Sequence, residues 1–272
     1  MKITYLGHSG FLVETKEHYL LFDYYTGKLP AFLPEKKLTV FVSHSHQDHY
    51  NKEIFALQCG ADEGNGQEKH AMQIVTEKMQ EDHAVQEVPE KKLSERRRIV
   101  YVLSKDIRRK QAEELVRKEN TLLSVKAHEK YTLYEGQMTV ETLRSTDLGV
   151  AYIVTVTEDG GKSYRFYHAG DLNLWKWEGE SKAYNNNMEA NYRREMERLK
   201  GQYFDAAFVP LDPRLEGTAF GGLDLFLETA KAEIAFPMHF WKKFGIIREY
   251  LRARPQVKNL VELKEEGRTY EF

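Results

Sequence analysis

Four side chains able to hold a metal ion fall within six residues, His44-Ser45-His46-Gln47-Asp48-His49, directly after the apolar run Leu38-Thr39-Val40-Phe41-Val42. Such a run reads as a strand buried on both faces, so the fold must deliver this cluster to the end of a core strand. His44 and His46 stand two residues apart, and the period-2 rule lets both rings point the same way. Asp48 and His49 follow where the chain turns into a short helix expected over Lys52-Gln58, with Asn51 as its N-cap. Neutral imidazole and carboxylate suit Zn²⁺, and also Mn²⁺ or Fe²⁺. The bland alternative is a capped, solvated turn with incidental histidines. Ligand density immediately after an apolar strand favours the metal.

Strand signals precede and follow the cluster. Lys2-Leu6, Gly10-Thr15 and Tyr19-Phe22 form a meander before it. After it come Ile99-Leu103, Leu122-Lys126, Tyr131-Tyr134, Met138-Leu143, Val150-Thr157 and Tyr164-His168, then shorter strands at Ala206-Val209 and Ile234-Phe236. Helices are expected at Asp106-Glu119, Met188-Lys200 and Leu223-Lys231. Each half of the chain runs from a meander into alternating strands and helices and ends strands in His or Asp. The pattern predicts an α/β fold of two sheets with helices outside. Residues 60–98 read as a polar insertion, with an amphipathic helix around Lys69-Glu81 (Met72, Val75, Met79) and a basic end at Arg96-Arg97-Arg98. A solvated surface excursion explains it, and a lid or partner surface is the other reading.

A chain of 272 residues with 41% hydrophobic content can build one large domain with a continuous core. The formal net charge of -2 provides no global field for nucleic acid or an anionic membrane. Cys59 is the single cysteine, which excludes an internal disulfide and leaves ten histidines and the carboxylates as metal ligands. No stretch approaches the roughly 18 apolar residues of a membrane span. A cytoplasmic protein with a small-molecule substrate is expected, and the sequence leaves its oligomeric state open.

Taken together, these residues resemble the metallo-β-lactamase-fold hydrolase superfamily, whose H-x-H-x-D-H motif stands intact at His44–His49. Leu6-Gly7-His8-Ser9-Gly10-Phe11, Asp23 of Leu21-Phe22-Asp23, Gly170-Asp171 and Pro237-Met238-His239 occur in the family's order, so the resemblance spans nearly the whole chain. The Gly-His-Ser opening is similar to the branch of ascorbate-6-phosphate lactonase and other metal-dependent hydrolases. The resemblance implies a four-layer αββα sandwich of two mixed sheets and a centre of one or two Zn²⁺ ions. His44 and His46 would hold one metal, Asp48, His49 and His239 a second, and Asp171 would bridge them. Two metals about 3.5–4 Å apart would activate a water or hydroxide and polarise the substrate oxygen. Asp48 and Asp171 are the implied catalytic carboxylates, with Asp23 and His8 supporting the ligands.

The chain departs from the family at one point. Where a third histidine usually serves the first metal, it reads Leu143-Arg144-Ser145-Thr146-Asp147-Leu148-Gly149. Asp147 is the candidate replacement. His128 reads as an exposed histidine in a polar turn, and His168 as a residue behind the ligands or in the pocket wall. Trp175, Trp177 and Arg214 are candidate substrate-binding residues, although Trp commonly packs and Arg214 has Asp212 as a salt-bridge partner. The leading function is metal-dependent hydrolysis of a small ester, lactone or phosphoester with room for an anionic group. A nuclease of the same fold would need a basic track. A non-catalytic ligand-binding protein with a degenerate site is the reading that the missing histidine invites.

Overall fold

A computed structural model describes residues 1–58, 86–87 and 98–272. The expected amphipathic helix at 69–81 and most of the 60–98 insertion lie outside the described residues.

The strands divide between two seven-stranded sheets. The first contains β1 (Lys2–Gly7), β2 (Gly10–Glu14), β3 (His18–Phe22), β4 (Lys37–Val42), β6 (Ile99–Ser104), β7 (Thr121–Val125) and β14 (Thr269–Glu271), in the order β14-β1-β2-β3-β4-β6-β7. The second contains β5 (Gln86–Glu87), β8 (Lys130–Leu133), β9 (Met138–Arg144), β10 (Val150–Thr157), β11 (Ser163–His168), β12 (Tyr203–Pro210) and β13 (Lys231–Met238), in the order β13-β12-β11-β10-β9-β8-β5. Both are mixed: β1, β2 and β3 form an antiparallel meander, whereas β3, β4, β6 and β7 run parallel. Likewise β8 to β11 are antiparallel, and β11, β12 and β13 parallel.

Period-2 alternation explains how one strand serves two layers. In β3, Leu20 and Phe22 join the core between the sheets, while Tyr19 and Leu21 join a second cluster on the outer face. The inner faces meet through aromatic contacts, including Phe11 with Phe208 at 4.4 Å and Phe41 with Tyr152 at 5.2 Å between ring centroids. Fully burying one such ring contributes roughly 1.5–3 kcal/mol. Tyr152 also ties the sheets together, its hydroxyl donating to Val42 O at 2.8 Å. Helix α1 (Arg109–Leu115) places Ala112 in the outer cluster of the first sheet. Helices α2 (Lys182–Arg198), α3 (Gly221–Thr229) and α4 (Gly245–Ala253) add Met188, Phe226 and Ile247 to the larger core. The layers are those of the expected αββα sandwich.

Several elements differ from the sequence reading. Asp106-Glu119 shortens to α1 because Asp106 is committed to the Ser45 N–H at 2.7 Å and Asn120 to the Ile99 N–H at 2.9 Å, which leaves both flanks as turns. Helix α2 begins earlier than Met188, where Ser181 caps the Tyr184 N–H. Strand β13 starts at Lys231, a residue expected to end the preceding helix. Helix α4 and edge strand β14 were not expected. Asn51 caps as read, accepting from Glu53 N ahead of the short helical turn Lys52–Ala56. Among the described residues, no helix is long and apolar enough to cross a membrane.

The parallel registers bring the chemistry to one edge of the sandwich. Phe22 pairs with Phe41, so Asp23 leaves β3 beside the end of β4, where Ser43 and His44 emerge. His168 pairs with Phe208, and Pro210 with Met238, so Asp171, Asp212 and His239 follow neighbouring strand ends. The β1–β2 turn closes over them, with the His239 N–H donating to His8 O at 3.2 Å.

Candidate metal centre

Three imidazoles are fixed in one tautomer by the residues behind them. His49 Nδ1 donates to Asp23 Oδ2 at 2.7 Å, and His239 Nδ1 to Asp212 Oδ2 at 2.8 Å. The Ser43 hydroxyl donates to Asp23 Oδ2 at 2.6 Å and lies 2.9 Å from His44 Nδ1, from which it accepts. A proton on each Nδ1 leaves the Nε2 lone pair for the centre.

Those lone pairs converge on Asp171. Its Oδ1 stands 3.1 Å from His49 Nε2 and 3.3 Å from His239 Nε2, while its Oδ2 stands 3.4 Å from His44 Nε2. Two donor groups result, His8, Asp48, His49 and His239 in one and His44, His46 and Asp171 in the other. Within the first, His8 Nε2 is 3.1 Å from Asp48 Oδ2. Donors around a tetrahedral ion with bonds of about 2.0–2.1 Å are separated by roughly 3.3 Å, close to the spacings seen here. Among the described residues, His8 Nε2, His49 Nε2 and Asp171 Oδ1 are buried without a hydrogen-bond partner, an arrangement costly unless a cation satisfies them. The residues present therefore fit divalent metal.

The charges follow the geometry. Burial opposes ionisation of Asp171, but the imidazoles of His49 and His239 overcome it and hold the carboxyl well below the usual range. Burial opposes charge on His49 as well, and is outweighed by Asp171 and Asp23, so its pKa is raised. His8 is lowered to about 4 by burial. Asp212 is brought down to about 2, because bonds from His239 and Arg214 outweigh its burial.

The remaining candidates divide by position. His168 donates from Nε2 to Ser9 O at 2.9 Å and its Nδ1 accepts from Gly170 N at 3.2 Å, so both nitrogens are used within the protein. It stacks on Phe22 behind the ligands. His128 is on the surface, bonded to Glu195. Asp147 lies where the family's third histidine is missing, its Oδ2 3.9 Å from His46 Nδ1, with both side chains about half exposed. Trp175 is buried and donates from its indole N–H to Asp171 O at 2.8 Å, which makes it a prop beneath the site. Trp177 and Arg214 border a neighbouring cleft. Sequence reasoning saw Asp212 only as a partner for Arg214, and missed that it orients His239. The signal was present in Pro210-Leu211-Asp212, another strand ending in a carboxylate. Ser43 was missed because nothing local shows a hydroxyl joining Asp23 to His44.

Known proteins resemble this chain in sequence over short stretches and in fold over nearly its whole length. The chain matches, at 45% identity over 53 residues, the UPF0173 metal-dependent hydrolase YtkL of Bacillus subtilis, and at 44% over 57 residues a UPF0173 metal-dependent hydrolase of Desulforamulus reducens. These matches cover 18% and 20% of this chain and only 23% and 25% of the relatives' own lengths. Among solved structures, it resembles the metallo hydrolase Igni18 of Ignicoccus hospitalis (TM-score 0.55, 17% identity, covering 100% of this chain and 98% of that one). It also resembles the metallo-beta-lactamase fold protein YhfI of Bacillus subtilis (TM-score 0.51, 13% identity, 99% of each chain). At such identities the structures show a shared fold. The family model described as the Beta-lactamase superfamily domain matches residues 2–175, which include every donor of the centre except His239. On that match, which takes in well over half of its length, the chain belongs to the beta-lactamase superfamily.

Proposed function

We propose that the chain is a metal-dependent hydrolase acting on a small ester, lactone or phosphoester. One observation carries this reading: tautomer-fixed Nε2 atoms of His44, His49 and His239 converge on the Asp171 carboxylate, whose two oxygens face different donor groups. His44, His46 and Asp171, with Asp147 in reach of His46, would hold one cation. His8, Asp48, His49 and His239, sharing Asp171, would hold a second. Zn²⁺ suits this nitrogen-rich set, and the carboxylates admit Mn²⁺ or Fe²⁺. Bound metal supplies Lewis acidity that activates water and polarises the substrate's oxygen.

The protein's own part is orientation and charge. Asp48 is ionised and keeps 22% of its side chain exposed, so it can orient water entering from solvent. Asp171 presents one carboxylate oxygen to each donor group. Asp23 and Asp212 fix ring tautomers. The cleft beside the centre carries Glu178, Glu180 and Glu216, which argues for a small substrate over a nucleic-acid polyanion. With one cysteine, the reducing cytoplasm is the proposed location.

Elemental analysis of anaerobically purified protein, followed by turnover of a panel of esters, lactones and phosphoesters, tests the proposal. Bound metal and turnover that disappears in His49→Ala are expected. Metal-loaded protein that hydrolyses nothing in the panel yet binds a metabolite would replace the enzyme with a ligand-binding protein.

A further inference from the structure

We propose that Arg214, packed against the rings of Trp177 and Trp241, is an oxyanion-recognition subsite that takes the single carboxylate or phosphoryl head of a small substrate. This deepens the reading of the adjacent centre as hydrolytic and rests on it.

A guanidinium carries five N–H donors in a planar fork. Asp212 occupies the side edge of Arg214, accepting from Nε at 2.9 Å and from Nη2 at 2.5 Å. The end-on fork between Nη1 and Nη2 remains, and among the described residues no hydrogen-bond acceptor is recorded on Nη1. The Arg214 side chain is 43% exposed and lines the adjoining cleft. A planar fork of this kind matches the two oxygens of a carboxylate or phosphoryl group.

Two indole rings pack against the guanidinium. The guanidinium carbon lies 5.1 Å from the Trp241 ring centroid and 5.8 Å from that of Trp177. Trp241 is 41% exposed, and its ring centroid lies 4.3 Å from that of His8 and 5.9 Å from that of His239, which joins the subsite to the donor group around His8. Both loops concerned hold non-glycine residues in left-handed backbone: Glu216 at φ 50° and ψ −120°, Trp241 at φ 50° and Lys242 at φ 59°. Asp212 holds Arg214 in place through both its backbone N–H and its guanidinium.

The cleft lined by Trp177, Glu178, Gly179, Glu180, Arg214 and Glu216 measures about 360 Å³, within the range of small-molecule sites. Its three glutamates repel a second negative group. The ligand is therefore a compact molecule with one anionic head, held so that its scissile bond faces the metal centre.

Two measurements on the metal-loaded full chain test this. Benzoate and phenylphosphonate are titrated while tryptophan fluorescence is followed, with Trp177→Phe and Trp241→Phe identifying the reporting ring. The tighter of the two assigns the head as carboxylate or phosphoryl. Arg214→Gln, and Arg214→Lys which keeps the charge without the fork, should each weaken binding by about tenfold or more. In parallel, kcat/KM is compared for 4-nitrophenyl acetate and the mono-4-nitrophenyl ester of glutarate. The preference for the anionic ester should fall by about tenfold in Arg214→Gln, whatever happens to the absolute rates. Anion binding that survives both Arg214 variants, together with an unchanged ester preference, overturns the subsite and leaves the hydrolase standing. Arg214-dependent anion binding without hydrolysis of any ester keeps the subsite and removes the hydrolase.

Discussion

Asp23 accepts a hydrogen bond from His49 Nδ1 at 2.7 Å while its other oxygen accepts from Ser43 N at 2.7 Å, so one buried carboxylate holds the first and last turns of the histidine loop. The Ser43 hydroxyl extends the same grip to His44. Asp23 is fully buried, and although burial opposes its ionisation, the imidazoles of His168 and His49 beside it hold the carboxyl below its usual range.

Asp23→Asn should weaken metal binding by about 10–100-fold, because the amide cannot accept from both His49 and Ser43 as the carboxylate does. Competition with a chromogenic chelator measures this. Unaltered affinity would mean that His49 is positioned without Asp23.

Asp147 occupies the place of the absent histidine, 3.9 Å from His46. Asp147→His should strengthen binding of the more weakly held metal ion, and Asp147→Ala should weaken it further, each by about tenfold or more. Isothermal titration with Zn²⁺ of the metal-stripped protein distinguishes the two ions. Identical isotherms for all three proteins would show that Asp147 is not a ligand.

Gly149 has φ +75°, and a Cβ placed there would stand 2.0 Å from Ser43 O and 2.6 Å from His44 Cβ. Gly149→Ala must push the His44 backbone aside. The expected cost is on the order of 3 kcal/mol, combining left-handed strain with overpacking. Urea unfolding gives the stability, and a parallel metal titration should show weaker binding at the His44 group.

His18, at the far end of β3 from the centre, is buried, and among the described residues neither of its ring nitrogens has a hydrogen-bond partner. Burial, then the Lys37 charge, lowers its pKa to about 4, against the pull of Glu158 and Asp159. Its unfolded value is about 6.5, so between about 6.5 and 4 the unfolded chain binds a proton that the fold refuses. Stability contributed by this residue's neutrality is present above that window and lost as pH falls through it, by on the order of 3 kcal/mol. His18→Phe, which keeps an aromatic ring beside Tyr134, should flatten the pH dependence of the melting temperature in this range. A wild-type slope retained in the variant would assign the loss to other groups.

Local rules made much of this protein legible from its sequence. The strand periods over Lys2–Phe22, Leu38–Val42 and Val150–His168 could be read because each strand's environment alternates every two residues or stays buried throughout. The ligand-bearing run His44–His49 could be read because its spacing lies within one loop. Helix α4 could have been found in the same way, since Ile246, Ile247 and Tyr250 form one buried face. The start of α2 was obscured by Asn185-Asn186-Asn187, poor helix formers whose placement is carried by the Ser181 cap and by Met188, Tyr192 and Met196 packing beneath. Pairings distant in sequence required the fold. Only the parallel register of β11, β12 and β13 sets Asp212 behind His239 and both beside Asp171. Only the approach of the β1–β2 turn to His239 brings His8 into the donor group. Strand period and residue type are short-range properties that the sequence determines by itself. The partner of a given carboxylate follows from sheet registers set by burial across the whole core.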